Sequence, residues 1–140
     1  MLFPKKVKHR KWQKGRKNLS LFRSETRGTT LAFGAFGVKA MSRGRIRANQ
    51  IEAARKVLTR AVAKGGKMWT RIFPDRPYTQ KPAEVGMGKG KGDVQGYEVE
   101  VLPGRVLFEV DGITSVAARD SLRKVGSKLS VKTKIVALEE

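Results

Sequence analysis

The stretch ANQIEAARKVLTRAVAK, residues 48–64, gives the clearest indication of the fold. Its apolar residues recur at helical spacing and form one stripe along the predicted helix. The members of this stripe are Ile51, Ala54, Leu58, Ala61 and Val62. Glu52 precedes Arg55 by three positions, a spacing that suits an ion pair on a helix. The stretch therefore predicts an amphipathic helix that is ended by Gly65.

Alternating apolar and polar residues predict strands after this helix. The alternation covers residues 67–73, 97–101, 106–110 and 130–138. Residues 102–105 predict a turn, so the strands on either side of it are expected to pair. Before the helix, residues 20–40 predict a hairpin that turns near Arg27, followed by a glycine-kinked strand with its phenylalanines in the core.

A second helix is predicted after Asp111, with Thr114 or Ser115 as its cap. Its predicted core stripe is Val116, Ala118, Leu122, Val125 and Leu129. The strand acids Glu98, Glu100, Glu109 and Asp111 are expected to form a solvent face turned away from any polyanion. The fold class is therefore α+β, a mostly antiparallel sheet packed with two main helices. A basic arm, residues 1–17, precedes one domain, residues 18–140, which carries an extended loop at residues 74–92.

The charge of the chain is large and uneven. The 140 residues carry a net charge of +19, and residues 1–60 hold 17 Lys or Arg against two acids. So many positive charges repel one another in an isolated compact chain, and a bound polyanion would offset this repulsion. The asymmetry points to nucleic acid or an anionic membrane, but no apolar run approaches the roughly 18 residues of a membrane span. We therefore expect a nucleic-acid partner and no membrane.

The arm contains eight cations and no acid. They are Lys5, Lys6, Lys8, Arg10, Lys11, Lys14, Arg16 and Lys17. A segment of this kind is expected to stay disordered until it binds. His9 and Trp12 interrupt the cations, and this mixture suits RNA because cations contact phosphates while rings stack on unpaired bases. The alternative is a merely solvated tail.

Five arginines outside the arm are further candidates for RNA contact. They are Arg43, Arg45, Arg47, Arg55 and Arg60. Arg43 and Arg45 flank Gly44. The glycine lets the backbone approach a phosphate closely, and the two guanidinium groups can bind that phosphate. The last two lie on the polar face of the first helix, which is either solvated or laid along phosphates.

Residues 74–92 lack a helix or strand period over 19 residues. Prolines stiffen the first half of this loop, and glycines alternate through the second half. Lys89 and Lys91 stand between glycines, whose backbone N–H groups can approach a phosphate closely. No Walker spacing is present, which disfavours a nucleotide-binding P-loop. The loop is therefore either a phosphate-binding extension or a flexible linker.

Six motifs occur in order along the chain. They are PKKVKHRKWQKGR at 4–16, FGAFGVKA at 33–40, QIEAAR at 50–55, RIFPDRP at 71–77, MGKGKG at 87–92 and PGRVLFE at 103–109. Together they closely resemble the bacterial L-sixteen family of large-subunit ribosomal proteins. The resemblance covers nearly the whole chain, and its motifs are specific because they keep the family order.

The resemblance implies a structural constituent of the large ribosomal subunit in the cytoplasm, rather than in an organelle, and not an enzyme. It implies contacts with large-subunit ribosomal RNA, with neighbouring ribosomal proteins and with tRNA in the aminoacyl and peptidyl sites, and a part in subunit assembly. By similarity, the arm and residues 43–47 hold ribosomal RNA while the loop points towards the peptidyl transferase centre. The loop residues at that end are Arg76, Lys81, Met87, Gly88, Lys89, Gly90, Lys91 and Gly92.

The chain departs from the family pattern at three positions. Gly86 stands where some members carry an arginine that can be hydroxylated, so that modification does not carry over. Gly96 stands where many members have one ring of an aromatic pair. Arg47 stands where a helix-capping Thr is often found, and we expect a cap weaker by about 1 kcal/mol.

Two other classes of function compete with the ribosomal one. A free nucleic-acid chaperone has the same charge. An RNA-modifying enzyme would need a cofactor motif, a nucleophile–base pair or metal-ligand spacing, and the sequence shows none. Cysteine is absent, which excludes disulfides and thiol catalysis, and His9 is the single histidine. No cofactor or metal is therefore expected.

Overall fold

The computed structural model describes residues 1–15, 23–63 and 65–138. In these ranges the chain forms seven strands and two helices, which confirms the α+β class. In chain order they are β1 Phe36–Ala40, β2 Gly44–Arg47, α1 Ala48–Ala61, β3 Lys67–Thr70, β4 Arg76–Gln80, β5 Asp93–Val101, β6 Val106–Asp111, α2 Ser115–Lys128 and β7 Thr133–Ala137. Neither helix is long and apolar enough to cross a membrane.

The strands form two antiparallel sheets. The first has the order β3-β6-β1-β7, and the second has the order β2-β5-β4. β6 is central in the first sheet, and Val106 to Val110 are all buried. This burial on both faces means that the four-stranded sheet is covered on each side, because successive side chains of a strand point to opposite faces.

The two helices pack against each other, and α2 also contacts β1 and β7. Helix α1 buries Ile51, Ala54 and Leu58, as its apolar stripe predicts. In α2, the prediction is wrong at Val116, whose side chain is 80% exposed. Val116 precedes the buried Ala118 by two positions, which places it about 200° around the helix from the core stripe.

Both helix starts have an identifiable cap. The Thr114 hydroxyl accepts a hydrogen bond from the Ala117 backbone N–H at 3.3 Å, which confirms the first of the two predicted caps for α2. At α1, the side-chain oxygen of Gln50 accepts from the Arg47 backbone N–H at 2.9 Å. Gln50 therefore satisfies one backbone donor at a helix start where a capping Thr is missing.

The strands on either side of the 102–105 turn do not pair with each other, so that prediction is wrong. The turn itself forms, with the Arg105 N–H donating to the Leu102 carbonyl at 3.3 Å. Both edges of β5 are occupied by β2 and β4, and both edges of β6 by β1 and β3. The chain therefore passes from one sheet to the other at this turn.

The predicted hairpin in residues 20–40 is also wrong in its described part, because residues 23–35 contain no strand. This segment instead lies on the face of β6 that carries Glu109. The backbone N–H groups of Ala32, Phe33 and Gly34 donate to one oxygen of the Glu109 carboxylate at 2.9, 3.1 and 3.2 Å. Donors that a hairpin would use are thus satisfied by a single buried side chain.

The prediction that Phe33 lies in the core is wrong, since its side chain is 58% exposed. It stacks on Trp69 with ring centroids 5.9 Å apart, outside the core that Phe108 fills. Strand β4 lies inside the segment 74–92, so the prediction that this whole segment lacks strand structure is wrong at residues 76–80. Pro77 is compatible with β4 because β4 is an edge strand.

Candidate nucleic-acid interface

One face of the three-stranded sheet carries alternating arginines and glutamates. The register places Arg45 of β2 opposite Glu100 of β5, and Arg76 of β4 opposite Glu98 of β5. Because residues opposite each other in antiparallel strands share a face, these four charged side chains come together, and Arg43, just before β2, joins them through its pair with Glu100. The five residues are Arg43, Arg45, Arg76, Glu98 and Glu100, and we call them the ion lattice.

The ion lattice is held by short charge–charge distances. Glu98 Oε1 lies 3.6 Å from Arg45 Nη1 and 4.0 Å from Arg76 Nε. Glu100 lies 3.4 Å from Arg43 Nη2 and 3.7 Å from Arg76 Nη1. The expectation that Glu98 and Glu100 form a solvent face is therefore wrong, since Glu98 is only 7% exposed and both carboxylates are paired.

Arg76 is the most enclosed cation of the lattice, with a side chain that is 12% exposed. Burial, together with the neighbouring Arg45, lowers the pKa of its guanidinium. An arginine nevertheless keeps its charge in proteins, so the two glutamates face a permanent cation. Arg43, Arg45 and Arg76 are thus partly neutralised within the protein.

The end of the arm lies on the ion lattice. Arg76 Nη2 donates to the backbone carbonyls of Gln13 and Lys14, at 3.1 Å in each case. The Arg76 guanidinium carbon also lies 5.7 Å from the centre of the Trp12 ring. From the loop side, Lys91 Nζ donates to the Trp12 carbonyl at 2.7 Å. The arm and the returning end of the loop are therefore joined at one place.

The remaining arm cations lie further out. Lys5, Lys6, Lys8, His9 and Arg10 are all exposed. Lys11 is half-buried, and its ammonium approaches the Lys91 carbonyl at 3.5 Å. Arg16 and Lys17 lie outside the described residues.

The tip of the loop exposes its backbone as well as its side chains. Gly88, Lys89 and Gly90 all have positive φ, at 105°, 61° and 98°. A Cβ added at Gly86, Gly88 or Gly90 would meet no heavy atom within 4 Å, so this part of the loop is surrounded by open space. Positive φ is unusual for a residue with a side chain, and Lys89 adopts it between two glycines.

The two ends of the loop are more closely packed than its tip. Gly92 lies against the Gln80 backbone, because an added Cβ would stand 2.9 Å from the Gln80 carbonyl. The Lys81 ammonium donates back to the Gly88 carbonyl. Met87 between these contacts is fully exposed.

Arg47, Tyr78 and Gly96 form a stack beside the ion lattice. The Arg47 guanidinium carbon lies 4.7 Å from the centre of the Tyr78 ring. On strand β5, a Cβ added at Gly96 would lie 2.9 Å from the Tyr78 ring. The ring of Tyr78 therefore covers the bare backbone of Gly96, which gives a physical reason for glycine at this position.

On α1, the two predicted contact residues differ. Arg55 donates two hydrogen bonds to Glu52, from Nε at 3.0 Å and from Nη2 at 2.5 Å. These hydrogen bonds lower the pKa of the Glu52 carboxyl. Arg60 is exposed at the last turn of the helix. Arg60 is thus the more available of the two for an external anion.

The structure adds residues that the sequence alone did not assign to the site. Glu98 and Glu100 hold the arginines, and Tyr78 holds Arg47. The signal for the glutamates is their alternation on one strand in a chain with only 12 acids, which makes acids next to a basic surface unusual. In the described ranges, no three His, Cys, Asp or Glu side chains come together as a metal site.

A comparison with known families identifies the family of the chain. The sequence model of the family described as ribosomal protein L16p/L10e matches residues 4–136. The match includes the arm from residue 4 onward, the ion lattice and the whole loop. The chain therefore belongs to the ribosomal protein L16p/L10e family, and it is a structural constituent of the large ribosomal subunit rather than an enzyme.

Proposed function

We propose that this chain binds large-subunit ribosomal RNA through its arm and exposed cations, and that its loop lies next to tRNA in the aminoacyl and peptidyl sites. In this role it assists subunit assembly and tRNA positioning in the cytoplasm. The observation that carries the proposal is the junction at Arg76, where arm and loop meet on one basic surface. RNA that contacts the arm would thereby also fix the root of the loop.

The arm cations contact the RNA backbone in this proposal. Lys5, Lys6, Lys8, Arg10 and His9 are exposed and are free of acidic neighbours in sequence. Each phosphate neutralised releases counterions, so the affinity depends steeply on salt. About ten phosphate contacts would lower log affinity by roughly 7 to 9 for each log unit of salt.

The arginines of the ion lattice have a different role from the arm cations in this proposal. Arg43, Arg45 and Arg76 keep Glu98 and Glu100 neutralised and hold the sheet surface on which the arm lies. Their remaining donors can reach phosphate, since a guanidinium carries five N–H groups. Their main contribution is therefore to position the arm and the loop.

The RNA contacts of the arm are tested by salt dependence. Replacing Lys5, Lys6 and Lys8 together by Gln should make the slope of log affinity against log salt shallower by roughly 2 to 3, because up to three phosphate contacts are lost. The affinity is measured by filter binding to large-subunit ribosomal RNA. The matched control replaces the exposed Lys124, Lys128 and Lys134 of α2 and β7. An arm variant with the wild-type slope would contradict the proposed role of the arm.

The tRNA contact of the loop is tested at Lys89. Lys89→Asn removes the charge and keeps a residue that tolerates positive φ. Ribosomes with this variant should place tRNA and translate more slowly, whereas the chain should still sediment with large subunits. Lys134→Asn is the matched control. Normal translation by the Lys89 variant would exclude the assignment of the loop, and a chain that sediments near the top of the gradient would favour a free nucleic-acid chaperone.

A further inference from the structure

A cavity of about 370 Å³ lies between the arm and the domain. Trp12 forms its wall on the arm side. The opposite part is formed by residues 71–73 and Asp75 of the segment that joins β3 to β4, and by Arg76 at the start of β4. Val99 and Val101 of β5 complete it with apolar surface. Its volume is at the small end of the range for ligand sites in proteins, so it suits a ligand of one small unit.

Two aromatic rings line the cavity from different parts of the chain. Trp12 is 41% exposed and Phe73 is 45% exposed, so both rings are accessible to a ligand. Exposed rings next to cations are the usual means of holding an unpaired nucleobase, because every base has a flat face that stacks. The ring of Trp12 is itself supported by the Arg76 guanidinium, 5.7 Å from its centre.

The charges around the cavity favour one orientation of a nucleotide. Arg105 lines it, and its hydrogen bonds to the Arg27 and Arg71 carbonyls within the described residues are both 3.4 Å long. Its distance to Glu25 is 3.9 Å, so the guanidinium is not tightly held by these partners. Asp75 and Glu100 also line the cavity and would repel a phosphate from their own sides. The other two lining arginines, Arg71 and Arg76, are paired with buried or half-buried glutamates. The phosphate therefore belongs at Arg105.

We infer that this cavity receives one unpaired nucleotide of RNA, with its base against Trp12 and Phe73 and its phosphate at Arg105. The inference rests on the proposed function, because it names a particular contact within RNA binding. It gives the arm a second role, in which the arm closes a pocket for a single base and does not only follow phosphates. Phe73, which the sequence pattern did not single out, becomes a contact residue.

The test measures binding of adenosine monophosphate to the full chain by equilibrium dialysis at low ionic strength. Ribose 5-phosphate is the matched ligand, since it keeps the phosphate and lacks the base. Adenosine monophosphate should bind saturably and more tightly than ribose 5-phosphate. Phe73→Ala should weaken the binding about fivefold or more, the effect of losing one stacking ring. Phe3→Ala, which removes an exposed ring outside the cavity, should change it less than about twofold, because that ring does not stack on the base.

Equal binding of the two ligands, or equal effects of the two Phe variants, would overturn the inference. A second measurement does not depend on variant folding: photolysis of 8-azidoadenosine monophosphate bound to the unaltered chain should label the cavity lining, within residues 11–15, 71–76, 99–101 or 105. Labelling elsewhere would also overturn it. Sedimentation of the same chain with large subunits reports on the proposed function separately, so a chain that sediments normally without binding the mononucleotide would refute this inference alone.

Discussion

Arg71 Nη1 lies 3.2 Å from Oε2 of Glu109, the one carboxylate of the described residues that is completely buried. The other oxygen of Glu109 accepts three consecutive backbone N–H groups from residues 32–34. Arg71 also donates to the Thr30 carbonyl at 2.8 Å. A buried charge is costly unless it is both paired and hydrogen-bonded. Glu109 is hydrogen-bonded through Oε1 and paired with Arg71 through Oε2, which has no hydrogen bond of its own among the described residues. This pair therefore fixes the segment before β1 to the four-stranded sheet.

Removing the Glu109 carboxylate should destabilise the fold strongly. Glu109→Ala is expected to lower the free energy of unfolding by about 3 to 5 kcal/mol, because Arg71 and three backbone donors lose their partner. Glu109→Gln should cost less, since its side-chain oxygen can still accept from the backbone. Urea unfolding measures both. Asp111→Asn, an exposed acid on the same strand, is the control and should change stability by less than about 0.5 kcal/mol.

The contact between Gly96 and Tyr78 predicts a coupled pair of substitutions. Gly96→Phe should destabilise the fold by about 1 to 3 kcal/mol, because its Cβ would stand too close to the Tyr78 ring. Tyr78→Ala should relieve much of that cost, so the double variant should be more stable than the sum of the single effects. Thermal unfolding of the four proteins in the cycle measures the coupling. Strict additivity would show that the two side chains do not compete for the same space. Gly86→Arg is the control. A side chain at Gly86 would extend into open space and should leave stability unchanged.

Arg76 should control how firmly the arm is held. Arg76→Lys keeps the charge but loses the planar group that donates to both Gln13 and Lys14. Trypsin should then cleave the free protein faster at Lys11 and Lys14, and the helical content should not change. Arg123→Lys is the control, because Arg123 is exposed on α2 and pairs with Asp120 of the same helix. Equal cleavage rates in the two variants would mean that Arg76 does not anchor the arm.

The Glu52–Arg55 pair predicts a pH effect of known sign. The hydrogen bonds from Arg55 lower the pKa of Glu52 in the folded protein. A carboxyl with a lowered folded-state pKa stabilises the fold above its ordinary pKa, and this contribution is lost as the pH falls through the lowered value. Glu52→Gln should therefore reduce stability at neutral pH and have little effect at strongly acidic pH. Thermal unfolding across this range checks the sign, and a larger effect in acid would contradict it.

Local patterns predicted the helices well, whereas contacts between distant residues escaped prediction. The apolar stripe of α1 and the Thr114 cap of α2 depend on residues within one or two turns. The pairing of β5 with β2 and β4 depends on which of several similar edges meet, and alternation alone does not encode that choice.

In the candidate interface, too, local features could be predicted and contacts between distant residues could not. Exposed cations such as Lys5 and Lys89 are evident from composition. The burial of Glu98 is not, because the residues that enclose it come from β2, β4 and the arm. Alternation correctly placed Glu98 and Glu100 on one face of β5. It could not reveal that this face is covered, since the cover begins at Trp12, more than eighty positions earlier.

The hydrogen bonds from residues 32–34 to Glu109 fix the order in which these two parts of the chain can fold during synthesis. The donor and acceptor are separated by 75 to 77 positions, so the segment before β1 cannot settle until β6 has left the exit tunnel of the ribosome that makes it. Residues 32–34 must therefore wait, with their backbone donors unsatisfied by the fold, for the arrival of a single distant side chain. A nascent chain truncated before residue 109 should consequently leave this segment open to protease, and one that extends past β6 should protect it.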